Sequence, residues 1–590
     1  MKAAFNFRLT SLFNKVNLFS EPSIILWAAL LGVAGGLTTV AFHECVKLLQ
    51  DLHSGTYGDV VQIASNWSTW EKLLIPSLGG LLGGLGLYYA SKIKVDANSD
   101  YMEAVAIGNG HLSLRQGLLR IGSALSVSAT GWSLGREGPI IHLASMVGSA
   151  LGRANKIEGN YLRMLVACGA AAGVSAAYFA PIAGALFIAE IVLGSMASHV
   201  LAPLLISSSS AYITITILGY EPWLYQLPPI YLVGEKELLL SIVIGILSGF
   251  GAPLFLKLLS LTRDLYSKTG MALPLRMTLA GFLLGCIFLI EPTAAGKGDT
   301  LIHSFMIDES WVLRSVVFIL IIKLISTSVS VGSGAVGGVI TPIMFIGACT
   351  AMIVTHAFAL IHPSVLHFTP VFVLVGMGAF LTAGTSAPIV AIVLLMEMTN
   401  SLQIAAPLIF ASVISFYISR LFTGTVMFGI TTKREKQDLV SLRISQLKVR
   451  DLLSPVDTTL DPTQTLREAL AIFANTGVKN LFVISQDREY LGILTNKNIT
   501  QGIMSSSPLD EPIPADFIQR SFVDLLKLDM GLDEVQNSFF SYNGERLPVV
   551  DNSEKPKLVG LVYKSDLLRK LSEIKKIDER RGYKAVDIRK

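Results

Sequence analysis

Charged residues are scarce in most of this chain, and that scarcity excludes a single large soluble protein. Of the 590 residues, 52% are hydrophobic and only 15% are charged, whereas soluble domains carry about a quarter charged residues. The charged residues make up about 10% of residues 1–432 and about 30% of residues 433–590. The sequence therefore predicts a hydrophobic body followed by a polar tail of ordinary soluble composition.

The chain also lacks the residue patterns of metal sites and of common enzymes. Its four cysteines are far apart in sequence and are expected to be small buried hydrophobic residues: Cys45, Cys168, Cys286 and Cys349. No Cys/His spacing is typical of a metal ligand set, and no Ser/His/Asp group or Walker loop occurs. We therefore expect no metal and no enzyme, and a net charge of +4 gives no reason to expect a nucleic-acid partner.

The body contains several uncharged runs of the length that crosses a bilayer, about 20 residues. They are Leu73–Ser91, Met164–Ala189, Leu238–Leu256 and Ser401–Ser419. The stretch Leu324–Met396 has no charged residue either, but its many Gly, Ser and Pro residues interrupt any long helix. Such breaks at membrane depth lie where protein or a water-filled cavity satisfies the backbone, although small residues also allow close helix packing. The pattern predicts a polytopic all-α membrane protein with broken, tilted helices.

The N-terminal segment is basic, with Lys2, Arg8 and Lys15 preceding the first acid, Glu21. It has no small-residue cleavage site after a short apolar core, so residues 1–22 are predicted to be a retained cytoplasmic segment.

Two short motifs each occur twice in the body. Ala180–Ile182 reads Ala-Pro-Ile and is followed by an apolar run that ends at Glu190, and Ala387–Ile389 leads in the same way to Glu397. In both copies the proline and the glutamate are nine residues apart. One such match could arise by chance.

The second pair of motifs has nearly the same offset. Gly135–Pro139 and Gly338–Pro342 both precede apolar helices, and their offset of 203 residues is close to the 207 of the first pair. Together the pairs predict a duplicated domain, the usual construction of transporters with a site between two halves. We place the transmembrane domain at 23–432, its repeats at about 23–220 and 235–432, and a linker at 433–447.

Both glycine-rich motifs are predicted to open helices, Ile140–Gly152 and Ile343–Val354. A helix N-terminus offers free backbone N–H groups and a partial positive charge, which bind an anion without the tight hold of a buried Lys or Arg. Two such ends that meet at mid-membrane would form an anion-selective site.

Glu137 stands at one of these helix starts, in an otherwise apolar region. A buried acid there is costly unless it is paired or functional. Either it pairs with Arg136 or caps the helix, or its carboxylate occupies the anion site and leaves on protonation.

Gly135–Pro139, which reads Gly-Arg-Glu-Gly-Pro, resembles the signature of the CLC chloride channel and transporter family. Gly338-x-Ile340-x-Pro342 resembles that family's Gly-x-Phe-x-Pro motif, and the two Ala-Pro…Glu helices and the tail match as well. The resemblance implies an inverted-repeat CLC-type fold and a homodimer in which each subunit has its own anion pathway. It also implies a multi-pass protein of a bacterial inner membrane with both termini cytoplasmic.

The same resemblance implies roles for individual residues. Glu137 corresponds to the gating glutamate, and the backbone N–H groups of Val339 and Ile340 correspond to central anion ligands. Arg136 and Gly138, from the first motif, complete this part of the expected anion-binding set.

Three positions depart from the family pattern. The first motif, Gly-Ser-Gly-Ile-Pro, is replaced by Asn98–Glu103, where Ser99 is the best match to the anion-coordinating serine and Asp100 could repel an anion. In this segment the chain resembles bacterial members of a divergent branch of the family. Phe428 stands at the position of the pore tyrosine and has no hydroxyl. Ile191 stands at the position of the proton-relay glutamate and cannot carry a proton.

These departures favour a voltage- or pH-gated chloride channel that moves Cl⁻ without proton coupling. The alternative is an H⁺/Cl⁻ antiporter with a non-standard proton path, such as a water chain. A third hypothesis, a divalent-cation transporter regulated by its tail, requires an acidic intramembrane site that the sequence does not show.

The tail contains two similar units of short helices and strands, at 448–506 and 513–575, before a polar end at 576–590. Aligning Gly492 with Gly560 gives an offset of 68 residues. The units resemble a tandem CBS pair, a cytosolic α/β module that often binds adenine nucleotides. That resemblance implies Thr495 and Asp566 as nucleotide ligands, whereas a purely structural dimerisation module is the alternative. No cofactor is expected to be required.

Overall fold

The computed structural model describes most of the chain. The described residues are 21–93, 98, 100–220, 225, 234–308, 310–422, 427–428, 447–456, 458–504, 508–519, 524–542 and 544–580. They form two compact units, one from the residues up to 428 and one from residue 447 onward.

The first unit is helical. Its first half contains α1 (Glu21–Ser54), α2 (Val60–Asn66), α3 (Thr69–Lys92), α4 (Tyr101–Ala106), α5 (Leu114–Ala129), α6 (Glu137–Ala154), α7 (Gly159–Tyr178), α8 (Pro181–Phe187, continued by a π-helix at Ile188–Leu193) and α9 (Ser198–Ile217). Its second half contains α10 (Glu235–Lys268), α11 (Leu273–Ile290), α12 (Asp299–Ile307), α13 (Leu313–Gly332), α14 (Ile340–Ala359), α15 (Thr369–Thr385), α16 (Pro388–Thr399) and α17 (Ala405–Ser419), with 3₁₀ turns at Pro292–Ala294 and Pro363–Phe368.

Nine spans of the described region are long and apolar enough to cross a membrane, while α8, α16 and α17 are shorter apolar helices. The prediction of a polytopic all-α body with interrupted helices is confirmed. The helices after the glycine-rich motifs begin earlier than expected, at Glu137 and Ile340, because the turns themselves supply the first helical residues.

The two halves repeat the same packing. Helix α6 lies on α7 as α14 lies on α15, and α1 lies on α9 as α10 lies on α17. The helices α7 and α15 end in the same way, since Phe179 and Ser386 both adopt the left-handed conformation, at φ 56° and 59°. Each is followed by an Ala-Pro step that starts the next helix, so the duplication extends to single backbone angles.

The first turn of α8 and the first turn of α16 each bind a glutamate of the other half. Glu397 accepts hydrogen bonds from the backbone N–H groups of Ile182 and Ala183, at 2.8 and 2.7 Å. Glu190 accepts the equivalent bonds from Ile389 and Val390, at 3.4 and 2.8 Å. Because carboxylates satisfy the free N–H groups of a helix start, the repeated glutamates join the halves as a reciprocal pair.

The second unit contains two copies of one α/β arrangement. The first copy has a 3₁₀ turn (Val449–Leu452), β1 (Thr459–Leu460), α18 (Leu466–Thr476), β2 (Asn480–Ile484), β3 (Tyr490–Thr495) and α19 (Asn496–Met504). The second has a 3₁₀ turn (Ala515–Phe517), β4 (Leu526–Lys527), α20 (Leu532–Ser541), β5 (Arg546–Val550), β6 (Leu558–Tyr563) and α21 (Lys564–Arg580).

The two sheets have the same topology and the same irregularity. In each, the first strand pairs parallel with the second, and the second pairs antiparallel with the third. Each antiparallel pair shifts register once, after Val483 in the first sheet and after Val549 in the second. Phe482 and Tyr490 of the first copy share an apolar core with Val549 and Leu561 of the second, which makes the pair a single packed unit.

Candidate functional site

The two glycine-rich turns meet at one point of the first unit. Gly135 and Gly338 form an antiparallel bridge in which each N–H donates to the other's carbonyl oxygen, at 2.7 Å in both directions. The bridge places the start of α6 directly beside the start of α14. Two helix N-termini, one from each repeat, therefore meet inside the molecule.

Glu137 lies at this junction as the first residue of α6. Its side chain is buried, and one carboxylate oxygen, Oε1, accepts a hydrogen bond from the hydroxyl of Thr341 on α14. The other oxygen, Oε2, has no hydrogen-bond partner among the described residues. A buried carboxylate with half of its capacity unused is expensive, as expected of a group that moves or exchanges partners.

The glycines of the bridge make room for this carboxylate. A Cβ atom at Gly135 would lie 1.8 Å from Oε2, and one at Gly338 would lie 2.6 Å from it. The carboxylate of Glu137 therefore rests against the bridge itself, in space that any other residue at these two positions would fill.

A cavity of about 430 Å³ opens beside the junction. Three of the residues predicted to bind an anion line it, namely Gly138 at the start of α6 and Val339 and Ile340 at the start of α14. Polar side chains from several helices complete the wall: Asp100, Tyr101, Gln116, Arg120, His142 and Arg263. The structure thus brings both helix starts to one cavity that polar and apolar side chains line together.

Other predicted residues lie elsewhere. Arg136 precedes α6. Three acids act on it electrostatically, namely Asp299, Glu137 and Asp59, so Arg136 is not paired with Glu137 alone. It is not among the residues that line the cavity. Ser99 lies outside the described residues.

Phe428 is fully buried and does not line the cavity. Its ring packs edge-to-face on Phe187 of α8, with the centroids 5.8 Å apart. The preceding residue, Met427, reaches the cavity and donates its backbone N–H to the carbonyl of Gly384. Phe428, the residue that sequence analysis places at the pore-tyrosine position, thus makes an apolar contact beside the cavity.

Ile191 lies in the π-helix after α8 and is buried. Its neighbour Glu190 is held by the helix start of α16, as described above.

Three residues near the junction were not identified from the sequence. Tyr101 lines the cavity, with its ring 6.4 Å from the ring of His142. Thr341 bonds Glu137, and buried Tyr178 lies beside Thr341 and close enough to act on Glu137 electrostatically. Asp100, a preferred capping residue, accepts the backbone N–H of Met102 at 2.9 Å, and this cap could have indicated that a helix begins at Tyr101.

In the second unit, each of the two predicted nucleotide ligands makes side-chain hydrogen bonds. Thr495 donates its hydroxyl to the side chain of Asn498, and Asp566 accepts hydrogen bonds from Ser454 and Arg569, at 3.3 and 3.0 Å. Neither residue lines the cavity of about 240 Å³ in this unit.

That cavity is lined instead by residues from both copies. Asn480 and Phe482 come from β2, Arg546 begins β5, and Tyr542 and Tyr563 complete a polar and aromatic wall. Arg546 is buried, donates to the carbonyl of Asn480 at 2.8 Å and lies over the ring of Phe482.

A membrane-spanning body of two reciprocal halves, with helix starts that meet beside a cavity, defines an inverted-repeat membrane transport protein. The sequence profile of the voltage gated chloride channel family matches residues 78–420. The chain therefore belongs to this family, the CLC family of chloride-transporting proteins. CBS domains match residues 449–505 and 518–573, which confirms the predicted identity of the tail.

Two curated relatives resemble the chain over most of their length. A putative chloride channel protein ClcB-like from Ralstonia nicotianae is 38% identical over 421 residues, which is 70% of this chain and 98% of that protein. The voltage-gated ClC-type chloride channel ClcB of Escherichia coli is 33% identical over 401 residues, 67% of this chain and 95% of that protein.

Among solved structures, the fold resembles that of a slow cyanobacterial Cl⁻/H⁺ antiporter. The TM-score is 0.61 at 21% identity, and the match covers 71% of this chain and 99% of that one. At this identity the likeness concerns the fold.

Proposed function

We propose that this protein is a chloride channel whose pathway passes the junction of α6 and α14 and is gated by Glu137. The observation that supports this most directly is the 430 Å³ cavity at the two helix starts, with Gly138, Val339 and Ile340 in its wall. Backbone N–H groups there attract an anion through their dipoles. Glu137 does not line the cavity itself, but it precedes Gly138, which does, and its carboxylate rests against the glycine bridge. In this proposal it competes with the anion while it is ionised.

Gating follows from the state of this carboxylate. An ionised Glu137 repels Cl⁻ electrostatically and fills the space beside the glycine bridge. Protonation removes the charge, so the side chain leaves the site and the anion passes. A change in membrane potential acts on the same charge, since moving a charged group through the membrane field changes its energy.

The test is chloride efflux from liposomes that contain the full chain. Glu137→Gln should give flux that no longer depends on pH. At pH 7 that flux should be at least about tenfold above wild type, the factor that one pH unit represents for one titrating group. Glu158→Gln, the same change at an exposed position, is the matched control and should behave like wild type. A pH dependence that survives Glu137→Gln would exclude Glu137 as the gate.

Proton-coupled exchange is the second candidate, and one observation favours it. Ile191 cannot relay a proton, but the buried hydroxyl of Thr341 bonds Glu137, and the buried phenol of Tyr178 lies near Thr341. These buried hydroxyls are groups through which a proton could reach Glu137. The reversal potential under crossed Cl⁻ and pH gradients separates the two functions, because a channel follows the Cl⁻ gradient alone and an exchanger follows both at fixed stoichiometry.

For the assembly, we propose a homodimer with one pathway per subunit, in a bacterial inner membrane with both termini cytoplasmic. The basic N-terminal residues support this orientation through the positive-inside rule. Cross-linking in native membranes tests the homodimer. Protease accessibility of the tail tests the orientation of the termini.

We further propose that the CBS pair binds an adenine nucleotide in the cavity at Arg546. Its guanidinium suits a phosphate, and the rings of Tyr542, Tyr563 and Phe482 suit a base. The volume of about 240 Å³ is slightly below the range of about 300–1,000 Å³ for small-molecule sites, so it accommodates part of a nucleotide. Calorimetry of the full chain with ATP, ADP and AMP, with and without Arg546→Met, tests the site.

A further inference from the structure

Thr341 makes a contact that the sequence motifs do not account for. It is the second residue of α14 and belongs to the second repeat, whereas Glu137 belongs to the first, 204 positions earlier. Both side chains are buried, at 2% and 3% exposure. The hydroxyl of Thr341 donates to Oε1 of Glu137, so one hydrogen bond ties the carboxylate to the opposite half of the pathway.

The direction of this bond determines which state of Glu137 it favours. A hydroxyl that donates to a carboxylate stabilises the ionised form, and hydrogen bonds to charged groups are the strong ones. A protonated carboxyl would have to replace this bond with a weaker neutral one. Thr341 therefore stabilises the state in which Glu137 blocks the anion.

Tyr178, at the end of α7, lies near Thr341. Its phenol oxygen is buried and has no hydrogen-bond partner among the described residues, so Thr341 alone holds the carboxylate. The other charged or titratable groups that act on Glu137 from neighbouring elements are Arg136, which precedes α6, and the buried phenol of Tyr225. Only Thr341 contacts Oε1 through a hydrogen bond among the described residues.

We propose that Thr341 is a latch that holds ionised Glu137 in its blocking position and thereby sets the pH at which the pathway opens. This proposal rests on the gating role proposed above. Thr341 acts as a positioning residue, because it works through Glu137 and its hydroxyl is engaged with the carboxylate.

The test is the pH profile of chloride efflux for Thr341→Val, a change that keeps the shape and removes the hydroxyl. The pH of half-maximal flux should rise by about one unit, a tenfold change in the protonation equilibrium. Thr341→Ser, which retains the hydroxyl, should restore the wild-type profile.

A double variant separates this proposal from the gating role itself. In Glu137→Gln/Thr341→Val the flux should equal that of Glu137→Gln at every pH. If the flux of Glu137→Gln does not depend on pH and the pH profile of Thr341→Val equals that of wild type, the latch is overturned and the gate remains. If the flux of Glu137→Gln still depends on pH, both proposals are overturned. If Thr341→Val does not reconstitute, Thr341→Ala with infrared titration of the Glu137 carboxyl band in detergent gives the same decision, because an unshifted titration overturns the latch.

Discussion

Glu137 and the reciprocal pair Glu190 and Glu397 are glutamates of the same membrane unit, yet their surroundings differ sharply. Each member of the pair accepts two backbone N–H groups from the other repeat. Glu137 has a single hydroxyl on one oxygen, and its other oxygen has no hydrogen-bond partner in the described part of the chain. The comparison shows that both carboxylate oxygens accept hydrogen bonds in Glu190 and Glu397, whereas only one does so in Glu137. This difference suits a fixed position for the pair and the movement that the proposed gate requires of Glu137.

The largest effect on this comparison is expected from removing Glu397, one of the two glutamates that join the halves. Glu397→Ala leaves two helix-start N–H groups without a partner, and each bond to a charged group contributes about 1.5–3 kcal/mol. We expect a loss of about 3–6 kcal/mol in the free energy of unfolding, measured through tryptophan fluorescence in mixed detergent micelles. Glu190→Ala should cost less, because one of its two bonds is longer, at 3.4 Å. An equal free energy of unfolding for wild type and Glu397→Ala would show that Glu397 does not stabilise the contact between the halves.

A second prediction concerns a substitution that displaces the Glu137 side chain and leaves residue 137 unchanged. Gly135→Ala places a Cβ atom in the space of Oε2, and the nearest contacts of that Cβ are all atoms of the Glu137 side chain. Since a flexible side chain can yield, we expect a folded protein in which Glu137 has left its position. Chloride efflux at pH 7 should approach that of Glu137→Gln, and combining the two changes should add nothing further. Wild-type flux from Gly135→Ala would show that the carboxylate tolerates the methyl group where it stands.

The smallest expected effect concerns an exposed acid of the CBS unit. Asp551 accepts hydrogen bonds from the side chain and N–H of Ser553 and from the N–H of Lys557, and these bonds lower its pKa. A lowered pKa stabilises the fold above the unfolded-state pKa, and this contribution is lost as the pH falls through the folded value. Asp551→Asn should therefore slightly lower the melting temperature at pH 7 and have no such effect below pH 3, because water replaces most of what an exposed acid loses. An equal drop at both pH values would contradict this account.

Sequence patterns predicted the repeats and the helix starts at the glycine-rich turns, because these features are local and occur twice. The gating role of Glu137 stays a prediction. The hydrogen bond from Thr341 to Glu137 could not be predicted, since it joins residues far apart in the chain and leaves no periodicity. For the same reason the cavity at Arg546 was missed. The spacing from Thr495 to Asn498 identifies a local side-chain contact, but it does not show which side chains from two copies surround one cavity.

The reciprocal glutamates also have a consequence for how the protein is made. The carboxylate that Ile182 requires is synthesised 215 residues later. At about 5–20 residues per second, the start of α8 waits roughly 10–40 s in the membrane before its partner emerges. During that interval the N–H groups of Ile182 and Ala183 lack the carboxylate that binds them in the folded protein. The first half therefore completes its native hydrogen bonds only after Glu397 has been synthesised.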